Sequence, residues 1–192
     1  MGDILKLTSP IPCSVNHYLK PRIMTVGGRP QISMYVTAEA KKYKKEFAAE
    51  VKRQVKLQGY DLEPNKTRHF YFDCDFYFDR IDKDTNNYFK LMLDTITDTG
   101  LIWLDDNVVA ERVNRIMYDR DNPRIEITVR PVDYIGIFDT RKDYDDFLNS
   151  CHSCKRYKDG KCSILNKAVA GVVQSEITDY ACSKHAVAKG EK

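Results

Sequence analysis

The stretch "HFYFDCDFYF", His69 to Phe78, alternates strictly along its length. Phe70, Phe72, Cys74, Phe76 and Phe78 share one face of an extended chain, and Tyr71, Asp73, Asp75 and Tyr77 share the other. Neighbouring side chains of a strand point to opposite sides, so this pattern predicts a strand with one strongly apolar face. An aromatic face of that kind has to be covered, and the rest of the chain must supply the cover.

Two amphipathic helices answer that need. The first is predicted to start at Thr37 as N-cap and to run to Leu57, stopping before Gly59, with Tyr43, Phe47, Val51 and Val55 on one face. The second runs from Asn87 to Thr99, with Phe89, Met92, Leu93 and Ile96 inward and Gly100 as its stop. Further strands are expected at Ile4 to Thr8, at Ile32 to Thr37, in "LIWL", in "VVAERVNRIMY" and in "PRIEITVRP", the last two joined by "DRDNP". The segment from Asn16 to Gln31, with its "GGRP", reads as a loop or irregular hairpin. The expectation is an α/β (α+β) fold, a small mixed β-sheet with two principal helices. After Pro131 the composition shifts, which divides the chain into a domain at 1–132, a linker at 133–150 with a short helix from Asp143 to Leu148, and a cysteine-rich extension at 151–192.

With 42% hydrophobic and 31% charged residues, the 192-residue chain is expected to be an ordinary globular protein rather than a disordered one. No apolar run reaches the length of a membrane span. The start "MGDILKLTSPIPC" has neither the basic leader nor the apolar core of a signal peptide, so a cytoplasmic location is expected. A net charge of +3 is too small to diagnose a nucleic-acid partner, and the distribution matters more. Between Glu39 and Lys56 the first helix carries Lys41, Lys42, Lys44, Lys45, Lys52, Arg53 and Lys56 against Glu39, Glu46 and Glu50. That surface is either a solvated helix face or one that meets phosphates.

Polar residues crowd "DRIDKDTNNYFK", Asp79 to Lys90, directly ahead of the second helix. Asp84 or Asn86 can cap a first helical turn, and Asp105, Asp106 and Asn107 can form an ordinary loop after a strand. The alternative is that ends of neighbouring strands bring both clusters together. Two or three carboxylate or amide oxygens with open water positions are what Mg²⁺ requires, and the ion would activate water for phosphodiester hydrolysis. Asn86, Lys90 and Asp94 fall at i, i+4 and i+8 on one helix face. Lys90 is then either an ion-pair partner of Asp94 or a group that stabilises phosphate charge in a transition state.

The run "DTNNYFKLMLDTITDTGLIWLDDNVV" resembles the RusA-type Holliday junction resolvases, whose pattern is Asp-x-Asp-Asn, a lysine three residues on, an apolar helix and Trp-x-Asp-Asp. Asp84, Asn86, Asn87, Lys90, Asp94, Gly100, Trp103, Asp105 and Asp106 carry the match. "PCSVNHYLKPR" before "VTAEAKKYKKEF" agrees with the family's N-terminal loop and helix start, and the likeness spans about residues 4–130. The resemblance implies a homodimer that binds branched DNA (four-way junctions) and makes paired symmetric nicks with Mg²⁺, in a bacterial cell or a phage. It also implies Asp84, Lys90 and Asp106 as catalytic residues, with Asp84, Asp106 and the adjacent Asp105 on the Mg²⁺; the Asn86 carbonyl and Asp82 are further candidate ligands read from their chemistry. Asn86 is a departure, because the family commonly has its second aspartate there; Asp82 is a nearby carboxylate able to compensate. A site weakened by Asn86 would instead bind junctions without cutting them well. Junction recognition by shape calls for backbone contacts, for which Lys20, Arg22 and Arg29 in the loop and Lys41, Lys42, Lys44, Lys45, Lys52 and Arg53 on the helix are candidates.

Cys151, Cys154, Cys162 and Cys182 lie beyond that likeness, spaced x2, x7 and x19. A CxxC pair followed by two more cysteines suits a tetrahedral structural Zn²⁺ site, with Asp159-Gly160 turning the chain back and His185 as an alternative ligand. Reduced thiols or an iron–sulfur cluster are the other readings of the same residues, and a protein-interaction module is the other reading of the extension. A segment this poor in apolar residues needs a staple, and in a reducing compartment clustered cysteines point to metal more than to disulfides.

Overall fold

The computed structural model describes residues 3–64 and 68–187, so the outermost residues of the expected 1–132 domain and 151–192 extension lie outside it. The chain divides into two units, Met1–Pro131 and Val132–Lys192. In the first, the elements run β1 (Leu5–Pro10), the single-turn helix α1 (Val15–Tyr18), β2 (Leu19–Val26), β3 (Arg29–Val36), α2 (Ala38–Leu57), β4 (Phe70–Phe78), α3 (Phe89–Thr99), β5 (Val109–Tyr118) and β6 (Arg124–Pro131). Four strands form one mixed sheet in the order β1-β6-β4-β5. Strand β6 is antiparallel to both β1 and β4, whereas β4 and β5 run parallel. A parallel pair cannot be closed by a tight turn, and α3 provides the crossover.

The alternating stretch is β4, a central strand of this sheet. Phe70, Phe72, Cys74, Phe76 and Phe78 are all fully buried. Phe47 and Val51 of α2 and Met92 and Ile96 of α3 are buried in the same core cluster. Phe89 meets Phe72 and Phe76 edge-on, with ring centroids 6.2 and 5.7 Å apart. Burying each phenylalanine contributes roughly 1.5–3 kcal/mol, so this one face dominates the stability of the unit. The opposite face of β4 is polar and held by arginines: Arg112 lies 3.8 Å and Arg130 4.5 Å from the Tyr71 ring centre, and Arg124 lies 3.7 Å from that of Tyr77. Asp73, buried on that side, is ion-paired to Arg112 at 2.5 Å and to Arg130 at 3.5 Å.

Helix α2 starts at a side-chain cap, and α3 does not. The Thr37 hydroxyl accepts the Ala40 N–H at 3.3 Å and donates to the His17 carbonyl at 2.9 Å, which ties the head of α2 to α1. The second helix begins at Phe89 rather than Asn87, because Asp84 caps a separate 3₁₀ turn, Thr85–Asn87, that precedes it. It ends at Gly100, whose φ of +63° places it in the left-handed region that closes a helix.

Two expectations need correction. "LIWL" is not a strand: residues 101–104 pair with nothing in the sheet, and Ile102 and Trp103 are buried instead. Trp103 lies 5.7 Å from Phe70 and 6.2 Å from Phe72, and its indole N–H donates to Thr97 Oγ1 at 2.8 Å. The segment plugs one end of the core, so its apolar residues are used for packing rather than pairing. Residues 16–31, read as a loop or irregular hairpin, carry most of a regular one, and the strand expected at Ile32 to Thr37 is the second half of β3. Strands β2 and β3 pair from Leu19↔Val36 to Val26↔Arg29 across Gly27 and Gly28, whose φ values of +60° and +78° make the two-residue turn that suits strand twist. Every residue of β2 is exposed, so no buried face imposes alternation on its sequence.

The second unit holds α4 (Arg141–Cys151), α5 (Ser163–Val169) and the two-residue strands β7 (Ile177–Thr178) and β8 (Ala181–Cys182). Helix α4 is longer than the expected Asp143 to Leu148, because Thr140 and Asp143 form a reciprocal capping box at its start. The stretch read from the sequence as a linker supplies Phe138 and Phe147 to a small core with Cys151, Leu165 and Ala168. Among the described residues no helix is long and apolar enough to cross a membrane.

Candidate active site

The parallel register decides where the two acid clusters stand. Phe70 pairs with Val109 and Phe78 with Tyr118, so the Asp79–Asn86 segment leaves one end of the strand pair while Asp105 and Asp106 enter the other. Neighbouring strand ends therefore do not unite them, contrary to the sequence expectation. What shortens the separation is the chain after β4, which folds back over the apolar face. Tyr88 packs on Phe76 and Phe78, with centroids 6.4 and 5.5 Å apart, and Phe89 follows on Phe72.

Lys90, the next residue, is where this return delivers a charge. Its Nζ lies 2.8 Å from Asp94 Oδ1 one turn on. The hydrogen bond to Asp94 raises the lysine pKa above its ordinary value, and the charges of Asp94 and Asp106 add to the effect. The lysine thus belongs to two acids, one on its own helix and one on the far side of the crossover. Asp94 also accepts from Tyr18, whose pKa is raised first by burial and then by that carboxylate. Tyr18 in turn contacts Lys44, which lies 2.6 Å from Asp98. Residues of α1, α2 and α3 are joined in one polar network that has Lys90 at its edge.

Local bonding accounts for several of the other acids. Asp84 Oδ1 accepts the Asn86 N–H at 3.0 Å, and Asp105 Oδ1 accepts the Asn107 N–H at 3.1 Å. Each therefore caps a 3₁₀ turn, and the second of those turns is Asp106–Val108. Asp82 is ion-paired to Arg80 at 2.8 Å, and Asp79 to Lys83 at 2.6 Å. Asn86 is exposed. Asp106 is half-buried and faces a neighbour the sequence reading passed over, Glu111 of β5. Desolvation raises the Glu111 carboxyl pKa, and the charge of Asp106 raises it further.

Among the described residues no three His, Cys, Asp or Glu side chains form a set arranged to hold a metal ion. The donor chemistry nonetheless fits a hard cation. Asp84, Asp105, Asp106 and Glu111 all offer carboxylate oxygens, and the repulsion between Asp106 and Glu111 is what a divalent ion relieves.

The basic candidates separate into different kinds. Lys20, Arg22 and Arg29 stand exposed on the β2–β3 hairpin, which springs directly from Tyr18. Lys41, Lys45 and Lys52 are exposed on α2. Lys42 is 4.0 Å from Glu46, and Arg53 makes a two-pronged pair with Glu50 at 2.8 Å, both on the helix surface. Lys44 is committed to Asp98 and Tyr18 inside the network, so it is removed from the surface set. Tyr18 sits within the "PCSVNHYLKPR" loop that the resemblance had already marked, but nothing in its spacing announces a partner on α3.

Comparison with curated proteins gave no match. A model of the family described as Endodeoxyribonuclease RusA matches residues 12–130, well over half of the chain, running from α1 into β6 and including Lys90, both acid clusters and the hairpin; the chain belongs to this family of endodeoxyribonucleases.

Proposed function

We propose that the chain is a Mg²⁺-dependent endonuclease that resolves four-way DNA junctions by paired symmetric nicks, in recombination or repair. The observation that carries the reading is Lys90, ion-paired to Asp94 at 2.8 Å and within the field of Asp106, in a chain that also bears an exposed basic hairpin. Asp84 and Asp106, with Asn86, Asp105 and Glu111 near them in the chain, are the residues that would hold Mg²⁺. When bound, the ion supplies a water of lowered pKa and neutralises charge on the scissile phosphate. Lys90 contributes a fixed positive charge for the extra negative charge of the transition state, and Asp94 orients it. Asp94 is oriented in turn by the buried Tyr18 hydroxyl.

Lys20, Arg22 and Arg29 on the hairpin, with Lys41, Lys45 and Lys52 on α2, bind DNA backbone in this reading, as recognition by shape demands. Two nicks related by a twofold axis need two sites, which a homodimer presents by symmetry. The edge strand β5, with Ile116 and Tyr118 exposed, is an available surface for a second copy. A cytoplasmic site of action accompanies the proposal.

A second reading, binding without cutting, is favoured by one feature: the neutral Asn86 where the resemblance leads one to expect an aspartate. A synthetic mobile four-way junction incubated with the purified protein and Mg²⁺ separates the two. Paired nicks that disappear in Asp106→Asn support the nuclease. Tight binding without nicks, restored to cutting by Asn86→Asp, supports the second reading, and a protein that neither binds nor cuts overturns both.

A further inference from the structure

Among its described residues the unit Val132–Lys192 has a core of five buried residues, Phe138, Phe147, Cys151, Leu165 and Ala168. A core that small rarely holds a fold without a staple. Its four cysteines come from three separate places: Cys151 ends α4, Cys154 follows one turn later, Cys162 precedes α5 and Cys182 lies in β8. The turn Asp159-Gly160 returns the chain between them, with Lys158 and Lys161 exchanging backbone hydrogen bonds of 3.0 and 2.8 Å. All four cysteines line one cavity of about 10 Å³, walled by Phe147 and Leu165.

Cys154 sits in a tight turn after α4: its N–H donates to the Cys151 carbonyl at 2.9 Å, and its own carbonyl accepts the Tyr157 N–H at 3.0 Å. His185, the competing donor, is exposed, and its Nε2 is within 3.0 Å of Ser153 Oγ and 3.1 Å of the Ser150 carbonyl oxygen. The four cysteines line this one cavity, although among the described residues no three of them are already gathered as a metal shell.

We propose that Cys151, Cys154, Cys162 and Cys182 form a mononuclear tetrahedral Zn²⁺ site that staples the C-terminal unit, with His185 outside the ligand set. Four thiolates at one small cavity match the ligand number and geometry of structural zinc. Binding replaces four thiol protons with the ion, so occupancy falls in acid and folding of the unit is coupled to the metal. This inference is independent of the nuclease reading, which uses none of these residues.

The test is elemental analysis of the full-length reduced protein, followed by Co²⁺ substitution. One equivalent of zinc per chain is expected, with the intense sulfur-to-cobalt absorption of a four-thiolate site after exchange. Cys151→Ser and Cys182→Ser lose the equivalent, while His185→Asn and Cys13→Ser keep it. Because the serine variants can fail to fold the unit, the cobalt spectrum of the unaltered chain is the decisive reading. A reduced chain that carries no zinc and takes up neither Zn²⁺ nor Co²⁺ overturns the site. Stoichiometric iron with visible absorption overturns its mononuclear character. Loss of zinc in His185→Asn with retention in Cys182→Ser overturns the ligand set.

Discussion

Lys90 Nζ and Asp94 Oδ1 lie 2.8 Å apart along one face of α3, and the pair stands next to the buried Tyr18 hydroxyl. With its pKa raised, the lysine remains cationic through the whole range in which a DNA phosphate is cut. The sign is that of a group protonated more tightly in the fold. Its contribution is complete below the ordinary lysine pKa and fades as pH climbs through the raised value. Truncation as Lys90→Ala is expected to lower junction cleavage by about 100-fold or more while leaving junction binding nearly intact. Single-turnover cleavage beside a gel-shift titration measures both, and an unchanged cleavage rate would remove Lys90 from the site.

Tyr18→Phe keeps the ring but deletes the donor to Asp94. Loss of one such hydrogen bond costs about 1 kcal/mol, and more when the acceptor is charged. The urea midpoint should fall with an unchanged slope, and cleavage should weaken less than in Lys90→Ala. Equal damage from both would mean that Tyr18 does more than orient Asp94.

Glu111 and Asp106 make a prediction with the opposite sign. A raised carboxyl binds its proton more tightly in the fold than when unfolded, so stability falls as pH rises through the window above the ordinary glutamate pKa. Carboxyl NMR should find Glu111 titrating high, and Asp106→Asn should bring it down by removing the second of its two causes. Saturating Mg²⁺ should lower it as well, if the ion sits against these two acids.

Gly100 closes α3 at φ +63°, and a Cβ built there meets no atom within 4 Å. Only backbone strain then opposes a side chain. Gly100→Ala is expected to cost about 1 kcal/mol, read as a small drop in Tm with the fold retained. A larger loss would require a contact the structure does not have.

Trp103 is fully buried, tilted against Phe70 and edge-on to Phe72, and bonded to Thr97 Oγ1. Trp103→Phe removes both the hydrogen bond and part of the ring, an expected loss of about 1–3 kcal/mol by denaturant unfolding. Thr97→Val in the same background should add little, because its partner is already gone.

How much of this was legible varies with the interaction that specifies each part. Strand β4 was written openly, because one residue in two faces a dry core and a period of two follows from extended backbone. Helix α2 was equally plain, from its cap at Thr37 to its end at Leu57. "LIWL" misled because packing and pairing both select apolar residues, and only the position of Trp103 over Phe70 distinguishes them. The hairpin of β2 and β3 was obscured for the opposite reason, since exposure on both faces leaves no pattern to read.

The candidate site divides in the same way. Asp84, Lys90 and Asp106 were marked as a set by the family resemblance, and the capping of local turns by Asp84 and Asp105 is a near-neighbour effect that sequence expresses directly. Glu111 beside Asp106, Tyr18 on Asp94 and Lys44 withdrawn to Asp98 were invisible, because each joins elements far apart in the chain. By itself the sequence determined strand β4, the two principal helices, the aromatic core face and the residues from which a site can be made, since these depend on backbone periodicity and local hydrogen bonding. The tertiary structure alone decided that the acid clusters enter at opposite ends of a parallel pair and that Lys90 answers to Asp106 as well as to Asp94, because strand register and the fold-back of a loop are set by packing between distant segments.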